Sequence, residues 1–137
     1  MGYRSEVAIA IENEAFKELL EKAKAKNDDA FEFIQRASIY RTDKFTTLYF
    51  EWVKWYEDYE DVQFIESFIR KIPHVFKRIG EDYDDIESLE GDVADHDMYD
   101  CVQIVRSLDI EGAGEKITID ETGYKELSRG QIAIVGE

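Results

Sequence analysis

The chain has 137 residues, 44% of them hydrophobic and 13% aromatic, with 32 acidic against 17 basic side chains and a formal net charge of −15 at pH 7. Its length suits one domain, and its apolar and aromatic content argues against a disordered chain. Its negative field opposes direct binding to nucleic acid or anionic membrane, whose phosphates are held by Lys and Arg.

Residues 3–11 alternate, with Val7, Ile9 and Ile11 on one side and the small Ala8 and Ala10 on the other. That pattern predicts a central strand with a helix packed close to the alanine face. Asn13 stands where an N-cap is expected, followed by Glu14; Phe16, Leu19, Leu20 and Ala23 then recur at helical spacing. A helix over about 14–26 is predicted, with Lys22, Lys24 and Lys26 toward its C-terminal end. Residues 28–36 read two ways: a second short helix capped by Asp28 and Asp29, or a segment running straight into a strand. Two strands follow, over 37–42 and 45–55, joined at Asp43-Lys44. In the second, Leu48, Phe50 and Trp52 share one face and Tyr49, Val53 and Trp55 the other.

An acidic turn over 56–61 leads into a helix whose stripe is Val62, Ile65, Phe68, Ile69 and Ile72 and which Pro73 stops; Asp58 with Asp61 loosely matches a capping pair. Strands are predicted over about 75–81, 85–90 and 101–110. After Glu111 the chain is punctuated by glycine, and the apolar runs 117–119 and 132–135 each read as an edge strand. The order predicts a single α+β domain over 1–110, a mainly antiparallel sheet with two helices on one face. It resembles a split β-α-β (ferredoxin-like) core, with residues 111–137 as a C-terminal β meander on the same domain.

One cysteine, Cys101, leaves no intramolecular disulfide and no cysteine-based zinc site, which fits a reducing cytosol. Residues 1–12 lack the pattern of a signal peptide, and no apolar run approaches the ~20 residues of a membrane span. A cytoplasmic location without membrane attachment is expected.

Charge is concentrated. From Ile79 to Asp100 the chain carries Glu81, Asp82, Asp84, Asp85, Glu87, Glu90, Asp92, Asp95, Asp97 and Asp100, and no Lys or Arg. Three readings compete: a solvated acidic loop, a protein-facing acidic surface, and a divalent-metal site. The register of an EF-hand does not fit from Asp82 or Asp92, and Asp95-His96-Asp97 are adjacent residues that rarely converge on one ion, so no metal or other cofactor is expected. No Gly-x-Ser-x-Gly elbow, phosphate-gripping glycine loop or His-Glu-x-x-His helix is present. Cys101 opens an apolar strand and reads as a buried side chain, so no catalytic residue is assigned. Tyr49, Trp52, Trp55, Tyr56 and Tyr59 fall beside the acidic turn, either as core and sheet packing or as a surface where rings and acids receive Arg or Lys.

Three stretches carry a resemblance: Tyr3-Arg4-Ser5-Glu6-Val7-Ala8, Trp52-Val53-Lys54-Trp55-Tyr56 and Arg78-Ile79-Gly80-Glu81-Asp82-Tyr83-Asp84-Asp85. Together they resemble a group of small uncharacterised proteins from bacteriophages and prophages. The resemblance implies a phage-borne accessory protein acting inside a bacterial cell. Physically, Arg4 and Glu6 leave the first strand on one face, and an Arg/Glu cluster forms if the first and fourth strands are neighbours.

The leading expectation is a non-enzymatic protein that inhibits or modulates a host protein, as in counter-defence of the anti-CRISPR kind, through an acidic, nucleic-acid-mimicking surface. Glu81, Asp82, Asp84, Asp85, Glu87, Asp92, Asp95 and Asp97 are its candidate residues. Alternate carboxylates on a strand stand ~6–7 Å apart, comparable with two base-pair steps of DNA. The partner is a basic or nucleic-acid-binding protein. The alternative is a small-ligand binder that sequesters a nucleotide, using Arg4, Arg41, Arg78, Tyr49 and Trp55, since Arg with rings suits phosphate plus base. The third is a metal-dependent enzyme using the acids of 81–100. A homodimer is expected if Tyr49, Val53 and Trp55 need a second subunit as cover.

Overall fold

The computed structural model describes residues 2–91, 96–104, 108–120, 123–128 and 131–134. The first strand, β1 (Ser5–Glu12), is buried along both faces, and it anchors everything else. It pairs antiparallel with β3 (Phe45–Val53) on one side and with β4 (His74–Gly80) on the other. β2 (Ser38–Arg41) and β5 (Ile86–Gly91) extend the sheet, and β8 (Glu115–Ile117) joins beyond β2. The result is a six-stranded antiparallel sheet in the order β5-β4-β1-β3-β2-β8.

Cross-strand register decides the faces. Ile9 stands between Leu48 and Phe76, and this side meets α1 (Asn13–Lys26), α2 (Asp28–Arg36) and α3 (Glu60–Ile69) in one core. Phe16, Leu19, Leu20 and Ala23 of α1, Phe31 and Ile34 of α2, and Val62, Ile65 and Ile69 of α3 pack there at helical spacing. Residues 28–36 are therefore a helix. The long helices cover the Val7-Ile9-Ile11 side, not the alanine side. Against Ala8 and Ala10 the chain packs Met98, Cys101 and Val102, from and just after the short helix α4 (His96–Tyr99). The small alanines leave room for that layer, and the cover expected of a second subunit comes from the chain itself.

The caps differ from expectation. Asn13 is the first residue of α1, whose N-cap is Glu12; its amide donates to the Thr42 carbonyl (3.2 Å) and accepts from the Thr46 hydroxyl (2.7 Å). Asn27, not Asp28 or Asp29, caps α2 by accepting from the Ala30 amide at 3.0 Å. At α3 Tyr59 is the N-cap without a side-chain bond, so Asp58 and Asp61 do not act as a pair; Asp61 accepts from the adjacent Val62 amide.

The predicted strand over 101–110 is broken. Gln103–Ile104 (β6) and Leu108–Asp109 (β7) pair with each other as a small separate ladder, because Cys101 and Val102 are drawn into the alanine-side core. A 3-10 turn, Glu111–Ala113, leads to β8, and Ile119–Asp120 (β9), Gly123–Ser128 (β10) and Gln131–Ile134 (β11) form a three-stranded antiparallel sheet. Among the described residues no helix is long and apolar enough to cross a membrane.

Candidate functional site

One end of the large sheet gathers the unusual chemistry. It begins with a bulge in β3: Ser5 opposes Val53 and Val7 opposes Phe50, so Glu51 and Trp52 together stand against Glu6. Trp52 takes φ 50°, a left-handed conformation costly for a bulky residue, and its side chain is 42% exposed. The extra residue reverses the alternation beyond it. Val53 and Trp55 therefore turn to the helical side, where Trp55 is only 7% exposed. Its ring lies 5.4 Å from Phe50 and 6.0 Å from Phe76, and its indole N–H donates to Glu66 at 2.9 Å. Tyr49 stays on the opposite face, where its hydroxyl donates to the buried Glu6 carboxylate. Burial, then that carboxylate, raises the Tyr49 pKa.

The N-terminal residues and the β4–β5 turn close this end. Arg4 donates from its guanidinium to the Trp52 carbonyl (3.2 Å) and from its backbone to Glu81 (2.8 Å). Arg78 makes a paired contact with Asp85 (2.8 and 3.1 Å) and reaches Glu87 (3.1 Å) and the Ser5 hydroxyl (3.0 Å). Tyr3 donates its phenol to Asp85 at 2.5 Å and accepts from the Asp82 amide at 3.1 Å. The guanidinium, then the phenol, holds the Asp85 carboxyl below its ordinary range. The Tyr3 pKa is raised because the bond to that carboxylate holds the phenol proton in place. Tyr56 and Tyr59 lie nearby with their rings tilted, centres 4.9 Å apart, and Tyr56 lies against Gly2. Tyr59 and Tyr83 are exposed, Tyr83 at 78%.

The predicted acidic surface is thus divided. Asp85 and Glu87 are engaged by Arg78 while staying partly exposed, and Glu90 pairs with Lys77 at 3.4 Å. Glu81 accepts from the Arg4 backbone, while Asp82 and Asp84 make no ion pair among the described residues and lie exposed. Asp97 belongs to α4, which packs beside Phe45, Lys44 and Glu12 at the far end of β1, about 24 Å away along the strand. Asp92 and Asp95 lie outside the described residues.

The residues predicted to hold a nucleotide are not brought together. Arg78 and Trp55 lie on the helical side, Tyr49 lies on the other, Arg78 is engaged by two carboxylates, and Arg4 is held by Trp52 and Glu81. Arg41 sits in register with Thr46 and Glu115, on β2, with β3 and β1 between it and the strand of Arg78. A surface groove between α1 and α3 carries Lys22 and Lys71 with Phe64 and Phe68, and none of these arginines. Among the described residues no group of three His, Cys, Asp or Glu side chains is placed to hold a metal ion. Burial pushes the Cys101 thiol up to about 11, so it is protonated at neutral pH.

Sequence reasoning misses Tyr3 and Ser5 as the partners of the β4–β5 turn. The signal lies in the spacing: Tyr3, Ser5 and Val7 alternate onto the side that Arg78 faces. The three stretches 3–8, 52–56 and 78–85 all contribute to this one end. Comparison of the chain with family models, curated proteins and solved structures finds no match.

Proposed function

We propose that the protein is a non-enzymatic binding protein whose working surface is this acidic and aromatic end, and that its partner is a basic or nucleic-acid-binding protein. The observation that carries the reading is Trp52: a large ring, 42% exposed, on a costly left-handed backbone, at the same sheet end as the exposed acids of the 81–84 turn and joined to Glu81 through Arg4. Exposed Trp and Tyr rings rimmed by charge are the composition of interface hot spots, and rings with carboxylates suit Arg and Lys. A phage accessory protein that inhibits or modulates a host protein, as in anti-CRISPR counter-defence, fits this reading, with the acids occupying a groove that otherwise holds phosphates. The strand order β4-β1-β3-β2, with helices between β1 and β2 and between β3 and β4, supports a split β-α-β core as the frame that presents the surface.

Affinity capture from a bacterial lysate at rising salt tests the reading. The parent chain is expected to retain a basic partner at low salt and lose it as salt rises. The E81Q/D82N/D84N and W52A variants are expected to lose it at all salt concentrations. Equal recovery by parent and variants overturns the proposal.

A further inference from the structure

We infer that β5, immediately after the acidic turn, is an open sheet edge that accepts an extended basic segment of the partner as an added strand. The inference rests on the binding reading above and names how the partner docks. Among the described residues β5 is the terminal strand of the sheet, paired with β4 without interruption from Ile79–Ile86 to His74–Gly91. The Gly80 amide donates to the Asp85 carbonyl at 2.8 Å, which sets the phase of this ladder. By the alternation of antiparallel pairing, Glu87 and Leu89 exchange bonds with β4, while the backbone groups of Ser88 and Glu90 face outward.

Sheet edges are ordinarily blunted by proline, a bulge or charged side chains, lysine above all. Residues 86–91, Ile-Glu-Ser-Leu-Glu-Gly, have no proline, lysine or bulge, and their two charges are both acids, which oppose an acidic strand and favour a basic one. Ile86 and Leu89 are 49% and 42% exposed on opposite faces, and each face also carries one acid, Glu90 on the face of Ile86 and Glu87 on that of Leu89. A second copy of the chain laid along this edge would set acids against acids, and the acids of the 81–84 turn would add to the repulsion. A segment with basic residues opposite Glu87 and Glu90 and apolar ones opposite Ile86 and Leu89 completes both rows. Each acid would then lie between two cations, since Arg78 and Lys77 already flank them from β4. In antiparallel pairing that pattern reads basic-apolar-small-basic-apolar.

The probe is a synthetic peptide with the core Lys-Val-Thr-Lys-Val, compared with a peptide of the same sequence and charge whose edge-facing amides are N-methylated. With the parent protein, the plain peptide is expected to bind at low salt and to slow hydrogen exchange at the Ser88 and Glu90 amides. The N-methylated peptide, and the plain peptide on S88P, are expected to bind about tenfold more weakly, as loss of one or two backbone hydrogen bonds implies. Proline at position 88 removes only an outward N–H, and the methylated peptide probes the same contact without altering the protein. Equal binding of the two peptides, or unchanged exchange at saturation, overturns strand addition while leaving the acidic-end reading standing. Absence of peptide binding at low salt also overturns strand addition, and lysate capture then judges the acidic end separately.

Discussion

Asp85 shows how one side chain can join distant segments, since it receives bonds from both Tyr3 and Arg78. Its carboxyl is depressed in the folded state, so its contribution is fully present above the ordinary carboxylate pKa of ~3.9 and is lost as pH falls through the lower folded value. D85N is therefore expected to lower stability by about 1 kcal/mol at neutral pH, a figure discounted for the partial exposure of the pair. In urea titrations the gap between variant and parent should close below that carboxylate range; a gap independent of pH would contradict the assignment. Asp85 thus belongs to the frame, and D82N with D84N should leave stability unchanged. Trp52 makes the complementary case. Replacement by glycine and by alanine removes the same ring, but only glycine relieves the left-handed backbone, so W52G is expected to be more stable than W52A by about 1 kcal/mol. The same variant should lose its partner, and a calorimetric melt beside a capture assay checks both outcomes.

At the scale of elements, Gly114 governs the attachment of β8. Its φ is 96°, and a Cβ there would overlap the Arg41 carbonyl oxygen. G114A is expected to cost about 2 kcal/mol or more and to loosen β8 from β2, seen as faster exchange at the Ile39 and Arg41 amides. The cap at Asn27 is worth about 1 kcal/mol to α2, which N27A in a chemical melt would show. Period and punctuation make β1, α1, β2, α3 and β4 legible in the sequence, because each buries one regular face and ends at a turn residue. The bulge is not legible there. A period-two reading counts residues and cannot register one inserted out of phase, so it assigns Trp55 and Trp52 to the wrong faces. The 101–110 segment misleads for another reason: its apolar residues are buried by tertiary packing against Ala8 and Ala10, not by alternation within one strand. The acidic run is legible as composition only. Which carboxylates are paired depends on Arg78 and Lys77, which lie across the β4–β5 turn.

For the whole molecule, the net charge of −15 makes self-repulsion a global term. Salt should raise the melting temperature of the isolated protein while weakening its complex, as the Debye length falls from ~10 Å at 0.1 M to ~3 Å at 1 M. A complex that strengthens with salt would point to apolar docking through the rings alone. The alanine side of the sheet is covered by Met98, Cys101, Val102 and their neighbours, so light scattering on the isolated protein is expected to return the mass of one chain. A doubled mass would show that another surface pairs the molecules.

The bulge has a practical consequence. By reversing the pleat between two tryptophans three residues apart, it sends one indole into the helical core and leaves the other partly exposed to water. The chain has only these two, so its emission divides into a blue component blind to the surroundings and a red one that a neutral quencher such as acrylamide can reach. Whatever settles on the acidic end would shift the red component alone, and unlabelled protein could report its own encounter.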